Sequence, residues 1–122
     1  MGRKILIIED NDDDLMIMKR YLEEAGYDEI FNAQDAGTGL KMAVEEKPDL
    51  AILDTLLPGS NGFEICSKIR ETCGQGAPKI IIITGSIDAV DAVKARRVGA
   101  DDYCVKTSDC APLMEAVKKI FI

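Results

Sequence analysis

Three carboxylates, a hydroxyl and an amine in this chain share one setting: each follows directly on a short apolar run. Ile5-Leu6-Ile7-Ile8 leads into Glu9-Asp10, and Leu50-Ala51-Ile52-Leu53 into Asp54. Ile80-Ile81-Ile82-Ile83 leads into Thr84, and Tyr103-Cys104-Val105 into Lys106. Continuous apolar runs of this length, with helical patterning between them, read as parallel strands buried on both faces. In an open parallel sheet, sites form at the carboxyl ends of the strands. Acids brought together there must bind a cation, or some must hold a proton. All-oxygen ligands suit a hard octahedral ion, which points to Mg²⁺ or Mn²⁺.

The same set suits phosphoryl chemistry of one kind. Glu9-Asp10-Asn11-Asp12-Asp13-Asp14 is the opposite of a glycine-rich phosphate cradle, so a bare phosphate is repelled there. A phosphoryl group needs a bridging metal and Lys106 as a second cation. Thr84 offers it a hydroxyl donor, and Gly85 keeps the approach open. Asp54 lies centrally and is the candidate nucleophile for an acyl phosphate. Singly, each residue has a plainer explanation: loop acids at 9, 10 and 54, a turn hydroxyl at 84, a solvated lysine at 106. It is their occurrence at successive strand ends that argues for a site.

The elements that must position them alternate along the whole chain. Strands are predicted at 4–8, 29–33, 50–53, 79–83 and 102–105. Helices are predicted from Asp12 or Asp13 to a stop at Gly26, then at 36–46, 63–72 and 88–98, with a fifth after Asp109. Expected core-facing residues are Leu15, Met18, Leu22 and Ala25 in the first helix, and Leu40, Ala43 and Val44 in the second. Phe63, Cys66 and Ile69 follow in the third, and Leu113, Val117 and Ile120 in the fifth. The fourth carries a thin stripe of Val90, Val93 and Val98 beside Lys94, Arg96 and Arg97. The fold class is therefore α/β: a doubly wound, five-stranded parallel sheet of flavodoxin-like (βα)5 type. The short second strand belongs at an edge, giving the order 2-1-3-4-5 and placing Glu9, Asp10 and Asp54 at the switch point.

Composition agrees with a single domain over 1–122. The 122 residues are 47% hydrophobic but only 5% aromatic, so the core must be aliphatic. A net charge of −7 argues against nucleic-acid binding and anionic membranes. No apolar stretch suits a bilayer span or a signal peptide, and the expected compartment is the cytoplasm. Histidine is absent, which removes His-based nucleophilic catalysis and His-bound metal. Cys66, Cys73, Cys104 and Cys110 fit no zinc spacing. Cys66 and Cys104 read as buried hydrophobes, and Cys73 and Cys110 as loop or helix-start residues.

These motifs resemble those of receiver domains of two-component response regulators, and the length is similar to that of the single-domain, chemotaxis-type members. The resemblance rests on Lys4 through Asp10, Leu50 through Gly59, Ile83-Thr84-Gly85 and Gly99 through Lys106, in the family's order and spacing. It implies that Asp54 accepts a phosphoryl group from a sensor histidine kinase or a histidine phosphotransfer protein. It implies Mg²⁺ (or Mn²⁺) held by Asp10, Asp54 and the backbone carbonyl of Leu56, with Glu9 acting through water. Lys106 would pair with the phosphoryl group, Thr84 would move toward it, and Tyr103 would swing inward. The face of the fourth helix, fifth strand and fifth helix would then present the state to a downstream protein target. Ile17 and the start of the first helix would help to dock the kinase. Leu56, Gly85, Ser86 and Thr107 flank the site as modulating positions. Glu9 stands where Asp is commoner, and Thr107 where the family usually has Pro.

Three other classes compete. A Mg²⁺-dependent aspartyl-phosphate hydrolase wants a second acid two residues past the nucleophile, where this chain has Leu56. A flavodoxin-like cofactor binder needs an anion-binding loop after the first strand. A degenerate receiver acting as a phosphorylation-independent interaction module would not need the intact Asp54, Thr84 and Lys106.

Overall fold

The computed structural model of the chain describes residues 3–74, 78–85 and 89–122. Five strands and five helices alternate: β1 Lys4–Ile8, α1 Asp12–Glu24, β2 Glu29–Ala33, α2 Ala36–Glu45, β3 Leu50–Asp54, α3 Gly62–Cys73, β4 Lys79–Thr84, α4 Ala89–Arg97, β5 Asp102–Val105 and α5 Ala111–Ile120. All pairings are parallel and the order is β2-β1-β3-β4-β5. The expected fold is the observed one. Two boundaries bear on the chemistry, because β3 ends on Asp54 itself and β4 on Thr84 itself.

Side chains alternate across each strand and divide the core into two layers. Leu6, Ile8, Ala51, Leu53, Ile80 and Ile82 pack with Ala43, Phe63, Cys66, Ile69 and Ala95 on the α2, α3 and α4 side. Ile5, Ile7, Leu50, Ile52, Ile81 and Ile83 pack with Met18, Leu22, Leu113, Ala116 and Val117 on the α1 and α5 side. Cys66 sits in the first layer, where its thiol donates to the Val98 carbonyl at 3.4 Å, and Cys104 and Cys110 sit in the second. Cys73 is only half-buried, and all four cysteines are free thiols.

Local signals explain most helix ends. Asn11, rather than an aspartate, caps α1 by accepting the Asp14 N–H at 2.9 Å; Asp12, Asp13 and Asp14 fill its first turn. Asp35 caps α2 through the Thr38 N–H at 2.8 Å. At α5, Asp109 accepts the Ala111 N–H at 3.0 Å while Cys110 adopts φ 54°. Gly39 sits in α2 for a packing reason: a Cβ there would come within 2.4 Å of Ile8 Cδ1.

Four core expectations are corrected, the first at Ala25, which is exposed at the C-cap of α1, past the buried Met18 and Leu22. Val44 is exposed because α2 turns Gly39, Leu40 and Ala43 toward the sheet. Val90 and Val93 are exposed, and α4 instead buries Ala95, with Val98 just past its end packed on the same layer. The helix uses its smallest residue to approach the sheet and turns the valines outward.

One buried cation ties the far end of the sheet. Arg70 of α3 donates to the Gly99 carbonyl at 3.0 Å, the Pro78 carbonyl at 2.6 Å and Asp101 Oδ2 at 2.9 Å. Asp101 Oδ2 also accepts the Ile80 N–H at 2.8 Å. Gly99 adopts φ +96°, and a Cβ there would press on the Arg70 stem at 2.9 Å. Truncation leaves two carbonyls without their donor while exposed Asp101 keeps the Ile80 N–H, so Arg70→Ala is expected to lose about 1–3 kcal/mol in urea unfolding. The α2 cap has a pH signature. Backbone hydrogen bonding from Thr38 lowers the Asp35 carboxyl below its ordinary 3.8. Its stabilisation is therefore full above pH 3.8 and lost as pH falls through the lowered value. The difference in urea midpoint between wild type and Asp35→Ala should shrink on acidification below that point.

Candidate functional site

The parallel register delivers the reactive residues to one edge. Ile8 pairs with Leu53, Asp54 with Ile83, and Thr84 with Val105. Backbone bonds extend the ladder past the strands: Glu9 N–H to the Ala33 carbonyl at 2.9 Å, Thr55 N–H to Ile83 at 3.0 Å, and Lys106 N–H to Thr84 at 2.6 Å. These bonds fix where Glu9, Thr55 and Lys106 leave the sheet. Gly62, at the start of α3, presses on the same edge: an added Cβ would lie 2.5 Å from the Asp54 carbonyl oxygen.

Glu9 is fully buried, Asp54 is buried and Asp10 is exposed. Each can offer one carboxylate oxygen, all within 4.8 Å of one another. That oxygen set fits a hard divalent cation. The three line an open cavity of about 490 Å³ with Asn11, Asp14, Leu56 and Lys106. Leu56 is 77% exposed, and its N–H donates to Asp54 Oδ1 at 3.4 Å. Its side chain therefore points away while its backbone stays at the acids.

Lys106 is aimed into this cluster, with Thr107 following it. Its Nζ donates to Asp14 Oδ2 at 2.9 Å and Asp54 Oδ2 at 3.1 Å. It also lies 2.6 Å from Glu9 Oε1, an ion-pair contact without hydrogen-bond alignment. Burial pushes the Glu9 carboxyl up to about 7; Asp54 beside it adds to the rise and Lys106 opposes it. Burial works against the Lys106 ammonium, but Glu9, Asp14 and Asp54 outweigh it and hold its pKa above the ordinary lysine value. One half-buried cation thus serves three carboxylates.

The remaining sequence-derived residues surround this centre. Thr84 is buried, and its Oγ1 accepts from Thr55 Oγ1 at 3.2 Å. Gly85 is exposed with open space at its Cβ position. Tyr103 is half-buried with its ring 6.4 Å from that of Phe63, and its hydroxyl has no hydrogen-bond partner among the described residues. Phe63 carries Lys94 Nζ at 4.8 Å from its ring centroid, which links α4 to the Tyr103 contact. Thr107 turns aside and donates to Asp109 Oδ1 at 2.8 Å. Ser86 lies outside the described residues.

Two contacts were not anticipated from the sequence. Asp14, which the sequence presents only as part of an acidic run, reaches Lys106, 92 positions along the chain. Its position at the third residue of α1 was the available signal, since helix geometry points the first turn toward the end of β1. Thr55 holds Thr84, and the hydroxyl after Asp54 was the signal there.

A doubly wound sheet carrying acids, a hydroxyl and a lysine at its switch point defines the receiver class. The chain belongs to the response regulator receiver domain family, whose model matches residues 5–118. It is 34% identical over 120 residues to the alkaline phosphatase synthesis transcriptional regulatory protein PhoP of Bacillus subtilis, matching 98% of this chain and 49% of that protein. The chain therefore spans about half the length of that relative. A response regulator receiver domain protein (CheY-like) from Methanospirillum hungatei superposes with TM-score 0.86 at 32% identity, covering 98% of this chain and 93% of that one. A LuxR-family two-component response regulator from Aurantimonas gives TM-score 0.89 at 32% identity, covering 98% and 85%. Among the described residues, no helix is long and apolar enough to cross a membrane.

The Gly62 contact yields a direct test. Gly62→Ala drives a methyl group into backbone that cannot yield, so it should cost about 1–3 kcal/mol in urea unfolding and shift the Asp54 amide resonance. Gly37→Ala is the control. Its nearest neighbour would be Asp35 Oδ1 at 3.6 Å, so it should leave stability equal or raise it by up to about 1 kcal/mol.

Proposed function

We propose that this chain, as one receiver domain over 1–122, is a phosphorylation-controlled switch in two-component signalling. Asp54 is the phosphoacceptor. The donor is the phosphohistidine of a sensor histidine kinase or of a histidine phosphotransfer protein. An Asp54 carboxylate oxygen forms the new P–O bond as the donor's P–N bond breaks. The electron pair of the broken bond leaves with the imidazole, which takes up a proton. The protein is a phosphoacceptor that takes part in its own chemistry, not a turnover enzyme.

The reading is carried by one observation: a single ammonium, Lys106, lies 3.1 Å from Asp54 within a cluster of acids that can hold a divalent cation. Mg²⁺ (or Mn²⁺), held by Glu9, Asp10, Asp54 and the Leu56 carbonyl, would neutralise charge on the transferring group. Lys106 would pair with a phosphoryl oxygen and Thr84 would donate its hydroxyl to another. Its Oγ1 accepts from Thr55 Oγ1 at 3.2 Å, a contact that does not use the Thr84 proton. Tyr103, packed against Phe63 on the same layer, is the residue that would respond. Leu56, Gly85, Ser86 and Thr107 are the positions around the site that would tune its rates.

The consequence would be a population shift between two arrangements of the α4-β5-α5 face. Exposed Val90 and Val93, with the basic Lys94, Arg96 and Arg97, give a downstream protein target both apolar and charged contacts there. No nucleic-acid or membrane contact is assigned to this domain.

Incubation with a small acyl-phosphate donor and Mg²⁺, followed by intact mass measurement, tests the reading. A single phosphate adduct is expected for the wild type and none for Asp54→Ala or with Mg²⁺ chelated. No adduct with small donors or kinases would overturn it in favour of an interaction module. Rapid turnover of many phosphate esters would point to a hydrolase.

A further inference from the structure

We propose that Asp14 is a positioning residue for this chemistry, holding the Lys106 ammonium over Asp54. The inference rests on the phosphoacceptor reading above and extends it to a residue outside the metal-holding set.

Among the described residues, Lys106 Nζ donates hydrogen bonds to Asp14 at 2.9 Å and to Asp54 at 3.1 Å, the shorter to Asp14. Glu9 contributes charge at 2.6 Å without alignment. Glu9 and Asp54 both come from the sheet edge, whereas Asp14 comes from α1 and approaches the ammonium from across the fold. Asp14 is itself fixed, because its N–H is the one that the Asn11 cap binds at 2.9 Å. It is not one of the three residues whose oxygens converge within 4.8 Å.

A second observation shows what the tether prevents. Lys106 and Asp14 line a neighbouring cavity of about 310 Å³, walled by Ile17, Met18, Val105 and Leu113. Its apolar wall suits the aliphatic stem of a lysine with its ammonium turned to water. Lys106 therefore has a second place to lie, away from Asp54. Its side chain is 21% exposed, so water already reaches it. Asp14 stands where the two cavities meet and holds the ammonium on the acidic side. It also leaves Lys106 a donor for an incoming phosphoryl oxygen, since the Asp54 contact can be exchanged while the Asp14 contact persists.

The test compares wild type, Asp14→Asn, which removes the charge, and Asp14→Glu, which restores it. Phosphorylation by a small acyl phosphate with Mg²⁺ should slow about tenfold in Asp14→Asn and largely recover in Asp14→Glu. In a Lys106→Met background, Asp14→Asn should change the residual rate no further, because the residue it acts through is gone. A metal-free readout accompanies these: the Lys106 ammonium signal in a nitrogen-detected spectrum, sharp in wild type, should broaden in Asp14→Asn through faster exchange. Wild-type rate and ammonium signal in Asp14→Asn would overturn the proposal, as would an equal loss in the Lys106→Met background. If the wild type took no phosphoryl group, the function reading would fall, and the metal-free ammonium signal would still decide whether Asp14 holds Lys106.

Discussion

A charge imbalance at the carboxyl edge governs this structure. Glu9, Asp54 and Asp14 converge on one ammonium, with Asp10 at the rim. One cation cannot neutralise them, and burial raises the cost of leaving Glu9 ionised. The fold supplies partial relief. The first turn of α1 offers a positive helix end beside the acids, and the Asn11 N–H donates to Glu9 Oε2 at 3.2 Å. What remains is a site that gains stability from added positive charge. A divalent cation is the simplest source, and a phosphoryl group becomes tolerable only alongside it.

The two-residue alternation of strands divides the site's labour. Along β1, β3 and beyond β5, the residues at 9, 54 and 106 share the parity of the layer that packs against α1 and α5. Thr84 and Tyr103 share the parity of the layer under α3 and α4. Charge is thus collected on one side of the sheet and hydroxyl contacts on the other. Asp54 and Thr84 thus lie on opposite sides of the sheet edge, with Thr84 on the side that packs against α4. Arg70 ties together the opposite ends of β4 and β5.

The sequence made the fold legible because continuous apolar runs have few alternatives: β1, β2 and β5 fall at their expected bounds, and the strand order follows from the edge position of β2. Strand-end chemistry made Glu9, Asp54, Thr84 and Lys106 legible for the same reason. Amphipathic faces were harder. Val44, Val90 and Val93 look like core residues by hydrophobicity, yet α2 and α4 approach the sheet through small residues, where close packing outranks side-chain size. Arg70 was illegible because its role depends on a partner 31 positions away, which no local pattern encodes, whereas Asp14, whose partner lies 92 positions away, left only its place in the first turn of α1 as a signal.

The cysteines give this fold an internal set of clocks. Burial pushes the Cys66 thiol up to about 11 and the Cys104 thiol to about 12, and it raises Cys110 as well. A protonated, enclosed thiol reacts only when the structure around it opens. Cys66 lies in the layer beneath α3 and α4, Cys104 and Cys110 in the layer beneath α1 and α5. Alkylation rates at these positions therefore time the breathing of the two half-cores separately, with half-buried Cys73 as the fast reference. The native chain can report, without an introduced label, whether the two sides of its sheet loosen together or apart.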